Sequence, residues 1–291
     1  SHINFGQRAF KYTAPAGYKC LCTQNLPDTF SGDELNNPSK YFDVKTWTGD
    51  STERDIKGFN FGPDFVWIKN RNDNNDHALC DQIRGGGNIL SSAYDYHESQ
   101  FTNGSDPESA WGSVKTFNSD GFTLQDGPSG YHKVNLSAKT YVGWAWDAGT
   151  TASGANNDGS LNIASGDQWV NPTAGFSITK YTGPGSGDFT FGHGLNAVPE
   201  FIIIKQINAT GNWIVQHKGT TLGSGRLLLN STTSADTSHA DGYWNSTAPT
   251  NTLISIGDNT NVYDSGGTFI CFAWTPISGY SSFGKITGNG N

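Results

Sequence analysis

An internal repeat constrains this chain more than any other feature of its sequence. Three motifs occur twice and in the same order. They are residues 41–49 (YFDVKTWTG) with 175–183 (GFSITKYTG), 62–69 (GPDFVWIK) with 198–205 (VPEFIIIK), and 140–146 (TYVGWAW) with 268–274 (TFICFAW). Repeated motifs in a fixed order predict two copies of one folding unit, here called copy 1 and copy 2.

The repeated motifs have the composition of β-strands. Residues 65–68 and 201–204 are continuous apolar runs, typical of strands that are covered on both faces. Pro63 and Pro199 stand just before these runs, where a missing N–H does no harm. We therefore expect a buried strand at this place in each copy.

The last motif of each copy alternates large and small side chains. Positions 142, 144 and 146 carry Val, Trp and Trp, and positions 270, 272 and 274 carry Ile, Phe and Trp. The residues between them are small, namely Gly143 and Ala145 in copy 1. This pattern predicts a thick core on the large face and a closely approaching neighbour on the small face.

Composition favours many short strands joined by tight turns. The chain of 291 residues has 37 glycines, 15% charged residues and 13% aromatic residues. That aromatic content supplies enough apolar surface for a core and argues against disorder. No segment has a convincing helical period, so we predict an all-β fold of tandem antiparallel β-sandwich repeats, jelly-roll-like in character.

The repeat and the composition together divide the chain into five segments. We predict a separate N-terminal segment at 1–40, copy 1 at 41–147, a Gly/Ser/Asn-rich connector at 148–174 and copy 2 at 175–278. Residues 279–288 (GYSSFGKITG) resemble the first motif again, so 279–291 is expected to begin a third copy. The chain begins with Ser1 and contains no Met, which predicts a processed product or an internal piece of a longer protein.

Charge and hydropathy exclude several classes of partner. A formal net charge of −8 argues against nucleic acid or an anionic membrane surface as a partner. No apolar stretch approaches the roughly 20 residues of a membrane span, so membrane insertion is not expected. A signal-peptide pattern is also missing near Ser1.

Motifs that could hold a cofactor or a metal are weak. Residues 192–197 (GHGLNA) match a dinucleotide pattern but lead into a strand, which favours a turn. Residues 71–77 (RNDNNDH) are rich in oxygen ligands. We predict a hairpin tip here, and a calcium-binding loop is the alternative. Neither a cofactor nor a metal is therefore predicted. The four cysteines are expected to be small buried hydrophobes, and they are Cys20, Cys22, Cys80 and Cys271.

No arrangement of side chains points to catalysis. The sequence has no nucleophile elbow, and its carboxylates, such as Asp81, Asp188 and Glu200, are scattered. We therefore predict that the protein is not an enzyme and has no catalytic residues. Aromatic residues in polar surroundings are the candidates for glycan contact, since aromatic faces stack on sugars. They are Trp111, Tyr131, Trp169, Tyr243 and Trp244; edge capping or contacts between copies are the alternative roles.

The N-terminal segment carries a family resemblance. Residues 4–10 (NFGQRAF), 15–19 (PAGYK) and 25–27 (NLP) resemble the final strands of a SPRY-type domain in phage tail proteins. In those proteins this ending is commonly followed by repeats similar to copies 1 and 2. The shared features of the repeats are 63–69 (PDFVWIK), 77–79 (HAL), 118–122 (NSDGF) and 141–146 (YVGWAW).

The resemblance implies a location on the surface of a phage particle. It implies a structural and adhesive component of the virion, most simply a tail fibre or similar appendage that contributes to host attachment. The expected partners are further copies of the chain in a homotrimer, other virion proteins and host surface glycans. A capsid-surface decoration or head-fibre protein is the first alternative, and a polysaccharide depolymerase is the second.

Overall fold

The apolar motifs of both copies form strands in the computed structural model of the chain, which describes residues 37–91, 112–125, 134–149, 156–185, 187–238 and 240–288. One compact unit runs from Asn37 to Asn291. The strands are β1 Phe42–Thr48, β2 Arg54–Lys57, β3 Phe65–Asn70, β4 Ala78–Asp81, β5 Leu90–Ser91, β6 Ser113–Asn118, β7 Gly121–Gln125, β8 Thr140–Trp146, β9 Gln168–Asn171, β10 Phe176–Thr182, β11 Phe189–Gly192, β12 Phe201–Gln206, β13 Ile214–His217, β14 Leu227–Leu228, β15 Leu253–Ile256 and β16 Thr268–Trp274.

Helical structure is limited to short turns in the described part of the chain. A five-residue helix, α1, covers Ala240–Trp244, and 3-10 turns cover Pro38–Lys40 and Lys218–Thr220. Every pairing between the named strands is antiparallel. The predicted all-β, antiparallel fold is confirmed. No helix among these residues is long and apolar enough to cross a membrane.

Both copies have the same strand order. The large sheet of copy 1 runs β1-β8-β3-β4-β5, and the equivalent strands of copy 2 run β10-β16-β12-β13-β14. The register agrees as well, because Trp146 lies opposite Phe65 and Trp274 lies opposite Phe201. In the same registers Trp67 of copy 1 takes the place of Ile203 in copy 2. The repeat in the sequence is therefore a repeat of topology and register.

The copies differ at their edges. Copy 1 closes its sandwich with the small sheet β2-β7-β6, whereas copy 2 uses β11-β15 and helix α1. Copy 2 also has an additional edge strand, β9, which pairs with β10. Strand β9 lies in the predicted connector, so the described part of 148–174 is not an open linker.

Three hydrophobic cores separate four layers. Trp47, Val66 and Phe122 belong to the core between the two sheets of copy 1. Tyr181, Ile202 and Ile256 belong to the equivalent core of copy 2. The third core lies between the large sheets of the two copies; we call it the junction. Its buried members are Phe65, Leu79, Leu90, Ala148, Phe176, Ile178, Ile203, Ile207, Trp213, Val215, Ile270, Phe272 and Trp274.

The last motif of each copy packs against a core on both faces. In β8 the face with Tyr141, Gly143 and Ala145 is buried in the core of copy 1. A Cβ on Gly143 would lie 3.0 Å from the Trp47 ring, so this indole is the close neighbour that was predicted for the small face. The large face packs in the junction, where Trp146 and Trp274 lie, so the thick core predicted for this face is also present. The second copy supplies this core, because its own large face covers that of the first.

The predicted segments at the two ends have different outcomes. Residues 1–36, which carry the resemblance to a SPRY-type domain, lie outside the described residues. Over 279–288, where a third copy was expected to begin, the structure has no named strand. Instead, Phe283 packs against Phe201 and His217 of copy 2, with ring centroids 5.9 Å and 6.5 Å apart. This segment therefore packs on copy 2.

Candidate functional site

A cleft of about 540 Å³ lies beside the junction. Residues from copy 1 and from the segment before copy 2 line it, and we call it the junction cleft. Aromatic side chains in its lining include Tyr41, Phe117 and Trp169. Polar side chains include Asp64, Asp147 and Gln82. Apolar walls with a few converging polar groups are typical of small-molecule sites.

Backbone hydrogen bonds fix Asp64 at the entrance to β3. Its N–H donates to the Trp146 carbonyl over 2.9 Å, and its carbonyl accepts from the Gln82 N–H over 2.9 Å. The side chain is 3% exposed. Its Oδ2 accepts a hydrogen bond of 2.7 Å from the Ala148 N–H. Asp64 is therefore held rigidly behind the cleft.

Asp147 directly follows β8 and connects the two copies. Its N–H donates to the Tyr41 carbonyl over 2.9 Å, and its Oδ1 accepts from the Gly149 N–H over 2.8 Å. Its Oδ2 accepts from the Asn171 side-chain amide over 3.0 Å, and Asn171 ends β9 of copy 2. Asp147 is half-buried, so it is the more accessible member of the acidic pair.

The carboxyl groups of Asp64 and Asp147 interact directly. Burial raises the pKa of Asp64 to about 8, and the charge of Asp147 contributes to this rise. Burial also raises the pKa of Asp147. At neutral pH Asp64 therefore keeps its proton.

Tyr280, from the segment after copy 2, packs beside this pair. Its ring meets that of Tyr41 edge-on with centroids 6.5 Å apart. Burial raises the pKa of its hydroxyl, and the Asp147 charge adds to the effect. Residues from copy 1 and from the segments on either side of copy 2 therefore converge on one acidic pair.

The geometry of the pair does not match known catalytic pairs. Glycosidases use two carboxyl groups that flank the bond to be cleaved, whereas Asp64 is 3% exposed and its Oδ2 is bonded to the Ala148 N–H. Carboxylate dyads that activate water share a proton, but they leave oxygens open to that water. Here Asp64 Oδ2 and both oxygens of Asp147 accept bonds from protein N–H groups. The arrangement suits binding better than bond cleavage.

Only one of the predicted glycan-contact residues lines the junction cleft. Trp169 is half-buried on β9 and packs against the junction core. Tyr243 and Trp244 are 7% and 1% exposed, so the expectation that they lie in exposed loops was wrong. The reason is that helix α1 packs against β15 and buries them, with the Trp244 indole N–H bonded to the Gly225 carbonyl. Trp111 and Tyr131 lie outside the described residues.

The sequence reasoning missed Asp64 and Asp147 as a pair. A comparison of the two copies could have pointed to these residues, because Thr275 stands in copy 2 where Asp147 stands in copy 1. Glu200 takes the place of Asp64, and it forms an ion pair of 2.8 Å with Lys218. The acidic pair occurs in copy 1 and not in copy 2, so the fold that both copies share does not require it.

The predicted hairpin tip at 71–77 uses its oxygens within the protein. Lys139 forms a 2.8 Å ion pair with Asp73, and Lys69 donates to the Asp73 carbonyl over 3.2 Å. The Asn70 amide oxygen accepts from two backbone N–H groups of the loop. Among the described residues no group of three or more His, Cys, Asp or Glu side chains could hold a metal ion.

The other weak motifs have structural roles where they are described. Residues 192–197 form a turn between β11 and β12, as the sequence predicted, so no helix follows the glycines to meet a phosphate. Cys80 and Cys271 are buried, as expected. Cys20 and Cys22 lie outside the described residues. Of the scattered carboxylates, Asp81 has a structural role, because it forms a buried ion pair with Arg84.

Comparisons with known proteins give a family for the chain. No curated protein and no solved structure matches it. A family described as "Domain of unknown function (DUF7483)" matches residues 37–291, and this span includes both copies and the junction. The chain belongs to this family.

Proposed function

We propose that the protein is a non-enzymatic structural and adhesive component of a bacteriophage virion, a tail fibre or similar appendage that contributes to host attachment. The observation that carries the adhesive part is the junction cleft, where Trp169 lies beside an acidic pair whose oxygens are already oriented by the backbone. The virion location rests on the resemblance of residues 4–27 and of the repeats to phage tail proteins.

The packing of the two copies supports an architectural role. The junction buries residues from both large sheets, so the two sandwiches form a single stiff body. A stiff body transmits force and keeps a distal surface away from the particle. Each cleft is small, and we expect host binding to be weak for one chain, with dissociation constants of roughly millimolar to micromolar. Self-association, proposed as a homotrimer, would raise the avidity by multivalency.

The two alternatives remain distinguishable from this proposal. A capsid-surface decoration or head-fibre protein has the same physics with another attachment point. A depolymerase requires two carboxyl groups that reach the substrate, and Asp64 is only 3% exposed. The cleft thus favours adhesion over cleavage.

Two measurements test the proposal. Purified protein is added to immobilised host surface polysaccharide, and binding and the release of reducing ends are recorded together. We expect saturable binding without release. Steady release of reducing ends that is abolished by Asp147→Asn would support the depolymerase instead. Antibody labelling of intact particles in the electron microscope is expected to mark a tail appendage, whereas labelling spread over the capsid would support the decoration protein.

A further inference from the structure

We propose that the junction cleft is the binding site for one uncharged sugar residue, which stacks on Trp169 and donates hydroxyl hydrogen bonds to Asp147. This inference rests on the proposed adhesive function, and it names the ligand class and the residues that recognise it. It also assigns Asp64 as a positioning residue behind Asp147.

Trp169 supplies the stacking surface. It stands on β9 opposite Ile178, so its side chain points to the same side of the sheet as the junction core. The ring is half-buried and lines the cleft, which leaves part of it open to a ligand while the rest is fixed by packing. A rigid aromatic face of this kind costs little conformational entropy when a ligand binds. The C–H face of a sugar ring is the matching apolar surface.

Asp147 supplies the acceptors. Each oxygen of a carboxylate has two lone-pair positions, and one N–H group bonds to each oxygen of Asp147, so each oxygen keeps one position for a sugar hydroxyl. Asp147 is the more accessible member of the pair, so its oxygens are the ones that a ligand can reach. Hydrogen bonds from sugar hydroxyls to a carboxylate are stronger than those to a neutral acceptor.

Amide side chains supply donors at the rim. Gln82, Asn60 and Asn118 line the cleft. The Asn60 amide donates to the Ser39 hydroxyl over 2.9 Å, and the Asn118 amide donates to the Thr123 hydroxyl over 3.0 Å, so both are oriented by the protein. Each amide group has two N–H donors, which leaves one for a ligand oxygen. Sugar hydroxyls both donate and accept, and the cleft provides both kinds of partner.

The charge of the cleft selects against acidic sugars. The cleft is lined by two aspartates, Asp64 and Asp147, and Lys40, which is exposed, is the one cationic side chain in the described lining. A uronate would bring a second carboxylate towards Asp147 without a buried cation to pair with it. Like charges in such a half-buried site are unfavourable. We therefore expect neutral hexoses to bind and hexuronates to bind more weakly.

Copy 2 provides a natural comparison within the same chain. Thr275 replaces Asp147, Gly175 replaces Tyr41, and Glu200 is neutralised by Lys218 over 2.8 Å. The equivalent place in copy 2 therefore has neither the acidic pair nor the tyrosine. Binding is expected at one site per chain.

Titration calorimetry and protein NMR with monosaccharides test this inference. The probes are the methyl glycosides of glucose, galactose and mannose and free N-acetylglucosamine, each compared with glucuronate and galacturonate. The variants are Trp169→Leu, Asp147→Asn and Asp64→Asn. Trp144→Leu is the matched control, because Trp144 is another half-buried strand tryptophan and lies outside the cleft. Thermal melts establish that each variant is folded.

We expect at least one neutral sugar to bind with a stoichiometry of one, and at least tenfold weaker binding in Trp169→Leu and Asp147→Asn. Asp64→Asn should weaken binding less and change its pH dependence above pH 7, which a merely structural residue would not do. Trp144→Leu should bind as the wild type does. Equal binding by Trp169→Leu and Asp147→Asn, tighter binding of uronates, or no binding of any probe would each overturn the inference.

The same variants separate this inference from the proposed function. If the wild type binds host polysaccharide and the cleft variants bind it equally well, the protein is an adhesin but the cleft is not its site. If neutral sugars bind in the cleft and host polysaccharide does not bind, the site stands and the adhesive function falls. If neither binds, both proposals fall.

Discussion

Trp146 and Trp274 end equivalent strands of the two copies, and their rings meet in the junction with centroids 6.2 Å apart and planes at 68°. Phe176 packs against both of them, at 6.4 Å and 4.8 Å. Phe65 from copy 1 lies 4.4 Å from Phe272. Equivalent faces of two repeated sheets are thus closed against each other, as the halves of a dimer would be.

Truncating a junction tryptophan should destabilise both copies at once. We expect Trp274→Ala to lower the free energy of unfolding by roughly 3–5 kcal/mol, because it removes a large, 7% exposed aromatic from a shared core. Urea unfolding followed by circular dichroism should show one shifted transition. Two transitions, of which only one moves, would contradict the shared core. Trp144→Ala is the control, with a smaller loss expected from a half-buried tryptophan outside the junction core.

The acidic pair should make stability fall as pH rises. Folded Asp64 keeps its proton up to about pH 8, whereas an unfolded aspartate loses it at about pH 4. Between these values the folded chain binds more protons, so its free energy of unfolding falls by at most about 1.4 kcal/mol per pH unit. The titratable or charged neighbours are Asp147, Tyr280, Tyr41 and Lys40.

Asp64→Asn removes the group that causes this dependence of stability on pH. Comparing the variant with the wild type therefore separates the effect of Asp64 from the effects of other titrating groups. We expect the variant to gain stability relative to the wild type between pH 5 and pH 9, as measured by urea midpoints at each pH. A stability difference between wild type and variant that stays constant with pH would show that Asp64 has an ordinary pKa.

Gly143 should not tolerate a branched side chain. Its Cβ position lies 3.0 Å and 3.1 Å from two atoms of the Trp47 ring, which is itself stacked on Tyr141. We expect Gly143→Val to cost about 1–3 kcal/mol by overpacking. Gly284→Ala is the control, because nothing lies within 4 Å of its Cβ position. Equal melting temperatures for Gly143→Val and the wild type would mean that β8 faces the other way.

Calcium should leave the stability unchanged. In the hairpin at 71–77, the oxygens of Asp73 already accept bonds from two lysine side chains. In the cleft, Asp64 keeps its proton at neutral pH, whereas a cation would need two ionised carboxylates. A site with a Kd of about 1 mM would add about 1.4 kcal/mol in about 10 mM calcium, a readily measured shift in melting temperature. A shift abolished by Asp147→Asn would place a cation in the cleft and contradict the sugar site.

The main strands of each copy could be predicted from the sequence, and the packing of the two copies could not. The alternation of large and small residues from Val142 to Trp146 and the Pro-led apolar runs at Phe65 and Phe201 identify strands. The same alternation predicts a core on the large face of β8. That the other copy supplies this core depends on how the two copies pack, and no local pattern contains that information.

The candidate site was only partly predictable for the same reason. Trp169 could be singled out as an aromatic residue in polar surroundings. Its partners Asp64 and Asp147 stand 83 residues apart in the sequence. They come together because one precedes β3 and the other follows β8, which are neighbours in the sheet. Tyr243 and Trp244 have polar neighbours in sequence, but the helix that holds them turns both rings inward.

NMR of the tryptophan indole N–H signals tests most directly whether a ligand binds at the junction cleft. The signals are assigned through single Trp→Phe variants, and neutral sugar or host polysaccharide is then titrated into the unmodified protein at neutral pH. We expect the Trp169 signal to shift in a saturable way while the Trp144 and Trp244 signals stay in place. A saturable shift at Trp144 or Trp244 with no change at Trp169 would contradict binding at the cleft.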